Sequence, residues 1–172
     1  AMSGAPLSEE DVLRLCEAAR WAPSCANSQP WRFLYARAGT PQWQTFFGLL
    51  AGGNQVWCQR AGALFCLVSK TTMDNGKPSP TPSFDTGAAW MSLALQGHAM
   101  GLVVHGMAGF DYDRARVELH VPEDHKVEAM VAVGYPGKVE DLPEAFRPRE
   151  APSDRRPVVE LMHEGGFPVS AS

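Results

Sequence analysis

The chain has 172 residues, 45% of them hydrophobic and 20% charged, a composition that fits one compact domain able to bury a core. Its 15 Lys and Arg against 19 Asp and Glu give a formal net charge of -4, which leaves no cation excess for gripping nucleic acid or an anionic membrane. Cys16, Cys25, Cys58 and Cys66 have no CxxC or CxxH spacing, so a zinc site has little support, and four unpaired thiols without a leader sequence point to a reducing cytoplasm.

Residues 1–7 carry no element pattern and are expected to be disordered. From Ser8, SEEDVLRLCEAARWA supplies an N-cap, an acidic residue three positions on at Asp11, and Val12, Cys16 and Ala19 at helical spacing. Pro23 stops that helix, and a polar loop, PSCANSQP, runs to Pro30. Trp31 to Ala38 reads as the first strand. Thr40 is expected to cap a helix over PQWQTFFGLL that ends at Gly52 and Gly53. After the short NQVWCQR segment, ALFCLVS reads as a strand buried on both faces.

Thr71 to Pro82 has the composition of an exposed loop, and Asp85 to Met100 that of a long helix whose small residues allow close packing. LVVHGMAG then predicts a strand, DYDRARVEL a short helix and VEAMVAVGY a last strand. Residues 138–172 are too rich in proline and charge for a core element and read as an extended C-terminal tail. No internal repeat or change of composition divides the chain, so residues 1–172 are taken as a single domain.

GxSxG, GxxxxGK, HExxH and GxGxxG are all absent, which removes the commonest short signatures of hydrolases, phosphate loops, zinc peptidases and dinucleotide folds. The five histidines form no independent site. What stands out is PSCANSQP, small polar side chains between two prolines at a strand entrance, where ligand contacts are often made. Such a loop can equally spend its polar groups on its own backbone.

With its flanks, this stretch reads AARWAPSCANSQPWRF, and it resembles the FMN-dependent nitroreductase family. GNQVW, SFDTGAAW, GLVVHGMAGFD, VGYPGK and RRPVVELM follow in the family's order, over about residues 8 to 165. The resemblance implies an α+β nitroreductase-like fold, with a central mixed, mainly antiparallel sheet flanked by helices, in a homodimer that binds FMN at its interface. It implies transfer of a hydride from NAD(P)H through the flavin to a small electrophile such as a nitroaromatic, quinone or enone.

By the same resemblance, Pro23, Ser24, Cys25 and Asn27 contact the flavin ring or ribityl chain. Met107, Ala108 and Gly109 lie against the ring, with the Ala108 backbone N–H at N5. Asn54, Cys58 and Arg60 reach the ring edge, with Cys58 standing where relatives offer an amide. Arg155 and Arg156 hold the phosphate, to which an arginine fork is suited. No acid/base dyad is needed, because the cofactor carries the redox chemistry. One departure is the opening AMSGAPLSEED, where relatives have an Arg-Arg-Ser-x-Arg type segment. It raises the alternative of a degenerate member that has lost flavin and serves as a binding or regulatory subunit.

Overall fold

Ser8 opens the first helix, α1 (Glu9–Arg20), with reciprocal bonds: its Oγ accepts the Asp11 N–H at 3.0 Å, and the Asp11 carboxylate accepts the Ser8 N–H at 3.1 Å. Such a cap contributes about 1 kcal/mol and fixes where the helix begins. In the computed structural model, which describes residues 1–167, the chain continues through four strands and four further helices. These are β1 (Trp31–Arg37), α2 (Trp43–Leu49), α3 (Gly52–Cys58), β2 (Ala63–Lys70), α4 (Pro82–Ala99), β3 (Val103–Met107), α5 (Tyr112–Glu118) and β4 (His125–Gly134).

The strands form one sheet in the order β1-β2-β4-β3, and every pairing among the described residues is antiparallel. Alternating helices and strands would suggest parallel neighbours. Here α4 does carry the chain from β2 to β3, two strands of like direction, but β4 inserts between them and pairs antiparallel with both.

β2 lies inside the sheet and is buried on both faces, as its unbroken apolar run predicts. Its alternate residues serve two cores. Phe65 and Leu67 join Leu15 of α1 and Leu93 of α4 on one face; Leu64, Cys66 and Val68 join Phe46 of α2 and Cys58 of α3 on the other. A fully buried side chain of this kind contributes roughly 1.5–3 kcal/mol.

Several boundaries differ from expectation. Thr40 does not cap a helix: its Oγ1 donates to the Arg37 carbonyl at 2.7 Å, and α2 begins at Trp43. Gly52 and Gly53 open α3 instead of closing α2, because Leu50 and Ala51 are extended and tied to the chain after β3, Leu50 bridging Phe110 and the Ala51 N–H reaching the Gly109 carbonyl at 2.9 Å. α4 starts at Pro82, three residues earlier than read, with proline in the first turn where its missing N–H costs nothing.

Residues 1–7, expected to be disordered, are packed. Met2 bridges Pro136, the Ser3 N–H donates to the Tyr135 carbonyl at 2.9 Å, and Met2 and Leu7 are buried. Glycines open the groove they occupy: a Cβ on Gly137 would come within 2.5 Å of the Met2 backbone, and one on Gly62 within 2.8 Å of the Ala5 carbonyl. The tail beyond Gly137 forms short 3-10 turns at Val139–Asp141, Glu144–Glu150 and Val158–Glu160; its last residues, 168–172, lie outside the described residues. Among the described residues no helix is long and apolar enough to cross a membrane.

Candidate active site

The PSCANSQP loop is held in an unusual conformation at the entrance to β1. Ala26, Asn27 and Gln29 have φ of 48°, 54° and 46°, a left-handed region that non-glycine residues seldom occupy. Strain of this type persists where surrounding bonds over-determine the backbone, and it clusters at ligand clamps. The bonds here are the Gln29 N–H to Ser24 Oγ at 3.0 Å, the Ser28 N–H to the Cys25 carbonyl at 3.0 Å, and the Cys25 N–H to Asp85 Oδ2 at 3.0 Å. Pro23 and Asn27 are exposed, Ser24 and Cys25 half-buried, and the buried Ser28 Oγ has no partner among the described residues.

At the other edge of the sheet, β3 ends at Met107 and the chain turns through exposed Ala108 and Gly109. The Gly109 carbonyl accepts the Asn54 Nδ2–H at 2.9 Å as well as the Ala51 N–H, and Asn54 Oδ1 accepts the Trp57 Nε1–H at 3.2 Å. This clamp aligns α3 with the turn. Neither the Ala108 nor the Gly109 N–H has an acceptor among the described residues, and both residues are exposed.

Beneath the turn, Cys58 is wholly buried, its Sγ 3.5 Å from Met107 Sδ. Burial pushes the thiol up to about 12, so it stays neutral, and its place is in the core beneath the ring-edge position read for it. Arg60 is likewise occupied elsewhere: Nη2 donates to the Ser3 carbonyl at 2.7 Å and Nη1 pairs with Asp141 Oδ2 at 3.1 Å, fastening the N-terminal segment.

Beside Asn54 lies a cavity of about 260 Å³ whose walls include Trp57, Val103, His105, Phe146 and Arg149. The Trp57 and His105 rings meet edge-on at 4.7 Å. Crowding of the His105 ring holds its pKa below the usual histidine value, against the opposing pull of Glu150, so the ring is neutral near pH 7. The sequence reading missed this cavity. Trp57 stood inside the quoted GNQVW, but Phe146 and Arg149 belong to the proline-rich tail, where no periodicity marks a wall residue.

Arg155 and Arg156 are exposed in that tail. Among the described residues Arg155 bonds only locally, Nη1 reaching Ser153 Oγ at 2.8 Å and the Ser153 and Asp154 carbonyls at 3.0 and 3.1 Å. The loop and turn do not meet. The loop leads into β1, the turn follows β3, and three strand spacings, about 14 Å, separate those edges. One chain therefore holds the loop and the turn on opposite edges of its sheet.

The Nitroreductase family profile matches residues 3–40 and 35–135, most of the chain. This chain belongs to the nitroreductase family. Among solved structures, an oxidoreductase described as containing FMN is 43% identical with a TM-score of 0.94, over 98% of this chain and 87% of that one. A protein from Desulfovibrio desulfuricans, named as a nitroreductase and crystallised with FMN, is 27% identical with a TM-score of 0.73, over 97% of this chain and 90% of that one. A 15.4 kDa protein of Mycolicibacterium smegmatis, with no stated activity, is 31% identical over 76% of this chain and 87% of its own length. As a nitroreductase-family member the chain is an oxidoreductase, and its sheet and flanking helices are those of its solved relatives.

Proposed function

We propose that this nitroreductase-family chain is an FMN-dependent oxidoreductase that takes a hydride from NAD(P)H and delivers it to a small electrophile, a nitroaromatic, quinone or enone. The observation that carries the reading is the pair of N–H donors at exposed Ala108 and Gly109, without an acceptor among the described residues and braced by Asn54. FMN, when bound, supplies the hydride chemistry; the chain supplies binding, orientation and charge. The Ala108 N–H is suited to donate to N5, and preorganised backbone donors stabilise negative charge where it develops.

The other half-site suits the rest of the cofactor. Ser24 and Asn27 offer hydroxyl and amide groups to a ribityl chain of hydroxyls, and Pro23 and Cys25 place small side chains beside them. Arg155 and Arg156 sit in a solvent-facing segment with forked donors that match a phosphate. Asn54 is free to reach the ring edge with its remaining amide hydrogen, whereas Cys58 and Arg60 act through packing and through the N-terminal segment.

The two half-sites on opposite edges favour a homodimer in which one subunit's loop completes its partner's turn. The outer face of α4 supports this: Phe84, Gly87, Met91 and Leu95 recur at helical spacing and are exposed, Phe84 at 78%. Four free cysteines suit work in a reducing cytoplasm.

The test is reconstitution. After incubation with FMN and desalting, the protein should keep the flavin absorbance, lose it on anaerobic addition of NADH or NADPH, and regain it with a nitroaromatic or quinone. A colourless product would contradict the cofactor assignment and leave the fold to a binding or regulatory role. Retained flavin that neither nicotinamide bleaches would contradict the hydride donor alone.

A further inference from the structure

The strained loop is fastened to the rest of the fold by a carboxylate inside the SFDTGAAW segment. Asp85 lies in the first turn of α4, where an acidic side chain ordinarily stays in water beside the helix terminus, yet it is 4% exposed. A buried carboxylate is costly unless hydrogen bonds offset its lost hydration. Asp85 Oδ2 accepts two: the Cys25 N–H at 3.0 Å, from 60 residues earlier, and the Thr81 Oγ1–H at 3.2 Å.

The turn that carries Asp85 is itself fixed to the sheet. β4 has an irregularity where Leu67 pairs with Ala129 but Val68 pairs with Val127, leaving Glu128 unpaired and free to aim sideways. Glu128 Oε1 accepts from Ser69 Oγ at 2.6 Å and from Ser83 Oγ at 2.7 Å, while Lys126 Nζ reaches Glu128 Oε2 and Ser83 Oγ, each at 3.0 Å. A continuous path thus runs from the sheet through Glu128 and Ser83 to Asp85 and on to Cys25. At its end, Ala26, Asn27 and Gln29 adopt left-handed backbone that would relax if the tether were cut.

We propose that Asp85 is a positioning residue for the cofactor, its carboxylate holding the Cys25 amide so that Ser24 and Asn27 keep the geometry that receives the flavin. This rests on the flavin reading of the loop. Asp85 touches loop backbone, and its effect reaches the flavin only through that backbone.

The experiment compares the full chain with Asp85→Ala, with Asp85→Leu, which fills the buried volume without an acceptor, and with Asp85→Asn, which keeps an acceptor oxygen. Amide hydrogen exchange of residues 24–29 is measured without flavin, and FMN affinity by titration. In whichever of the alanine and leucine variants retains the native melting transition, loop exchange should rise and FMN affinity fall, each about tenfold or more, with Asp85→Asn between them and the parent. Unchanged loop exchange in those variants would overturn the proposal, as would an Asp85→Asn variant that loses FMN as fully as they do while its loop stays protected. If the parent chain takes up no FMN, the flavin reading fails, while loop exchange still decides whether Asp85 holds the loop.

Discussion

Gly109 has no room for a side chain: a Cβ there would lie 2.7 Å from Asn54 Nδ2, the atom that clamps the turn. Gly109→Val should therefore expel Asn54 and release the Ala108 and Gly109 donors from their alignment. The expected result is a loss of FMN affinity of about tenfold, read by titration, for the removal of one well-placed hydrogen bond. A second prediction concerns Glu128. Burial would raise its pKa, but Ser69, Ser83 and Lys126 more than offset this and hold it below the usual carboxylate value. The unfolded chain then takes up that proton first on acidification. The stabilisation is complete above the ordinary glutamate pKa, near 4.5, and is lost as pH falls below it. Glu128→Gln should melt lower than the parent at neutral pH and lose less stability on acidification, as thermal melts across the acid range will read. At this scale the sequence was legible where partners are close along the chain, as with Ser8 and Asp11. It was silent on what Asp85 and Glu128 hold, since their partners are distant in sequence.

Among the helices, α4 lies against both α1 and the sheet. It packs on β3 through Gly97, where a Cβ would stand 2.3 Å from Val104 Cγ2, a branched side chain with little freedom to give way. Gly97→Ala should cost about 1–3 kcal/mol and lower the melting temperature. Gly53→Ala, in α3 with nothing within 4 Å of its Cβ, should be neutral or stabilising by up to about 1 kcal/mol. Equal destabilisation by both would contradict the packing described for α4. The strongly periodic or uniformly apolar segments, α1 and β2, could be read directly. α3 could not, because Gly52 and Gly53 carry a terminator's signature; the break before them is imposed by the pairing of Leu50 with Phe110 and of Ala51 with Gly109.

The molecule as a whole sets what one chain can do alone. Strand order puts the loop before β1 and the turn after β3 on opposite edges, and that order follows from the insertion of β4 between β2 and β3, which local pattern does not encode. The burial of Met2 and Leu7 was hidden for a similar reason, since the groove they fill is opened by glycines far along the chain, Gly134 and Gly137 beside Met2 and Gly62 beside Leu7. The family resemblance named the loop and the turn residue by residue, but nothing in the motifs says that one chain holds them on opposite edges of its sheet. If two copies join through the exposed face of α4, Leu95→Asp should separate them and flavin should leave with the partner, since a charge buried against Phe84 and Met91 would lack compensation. The most direct measurement is sedimentation velocity of the FMN-loaded protein, recorded in protein and flavin absorbance together. The account predicts one boundary carrying both signals at twice the mass of a single chain, and for Leu95→Asp a colourless boundary at the mass of one chain. Flavin sedimenting with a single chain would contradict the shared site, and a colourless parent protein would contradict the cofactor.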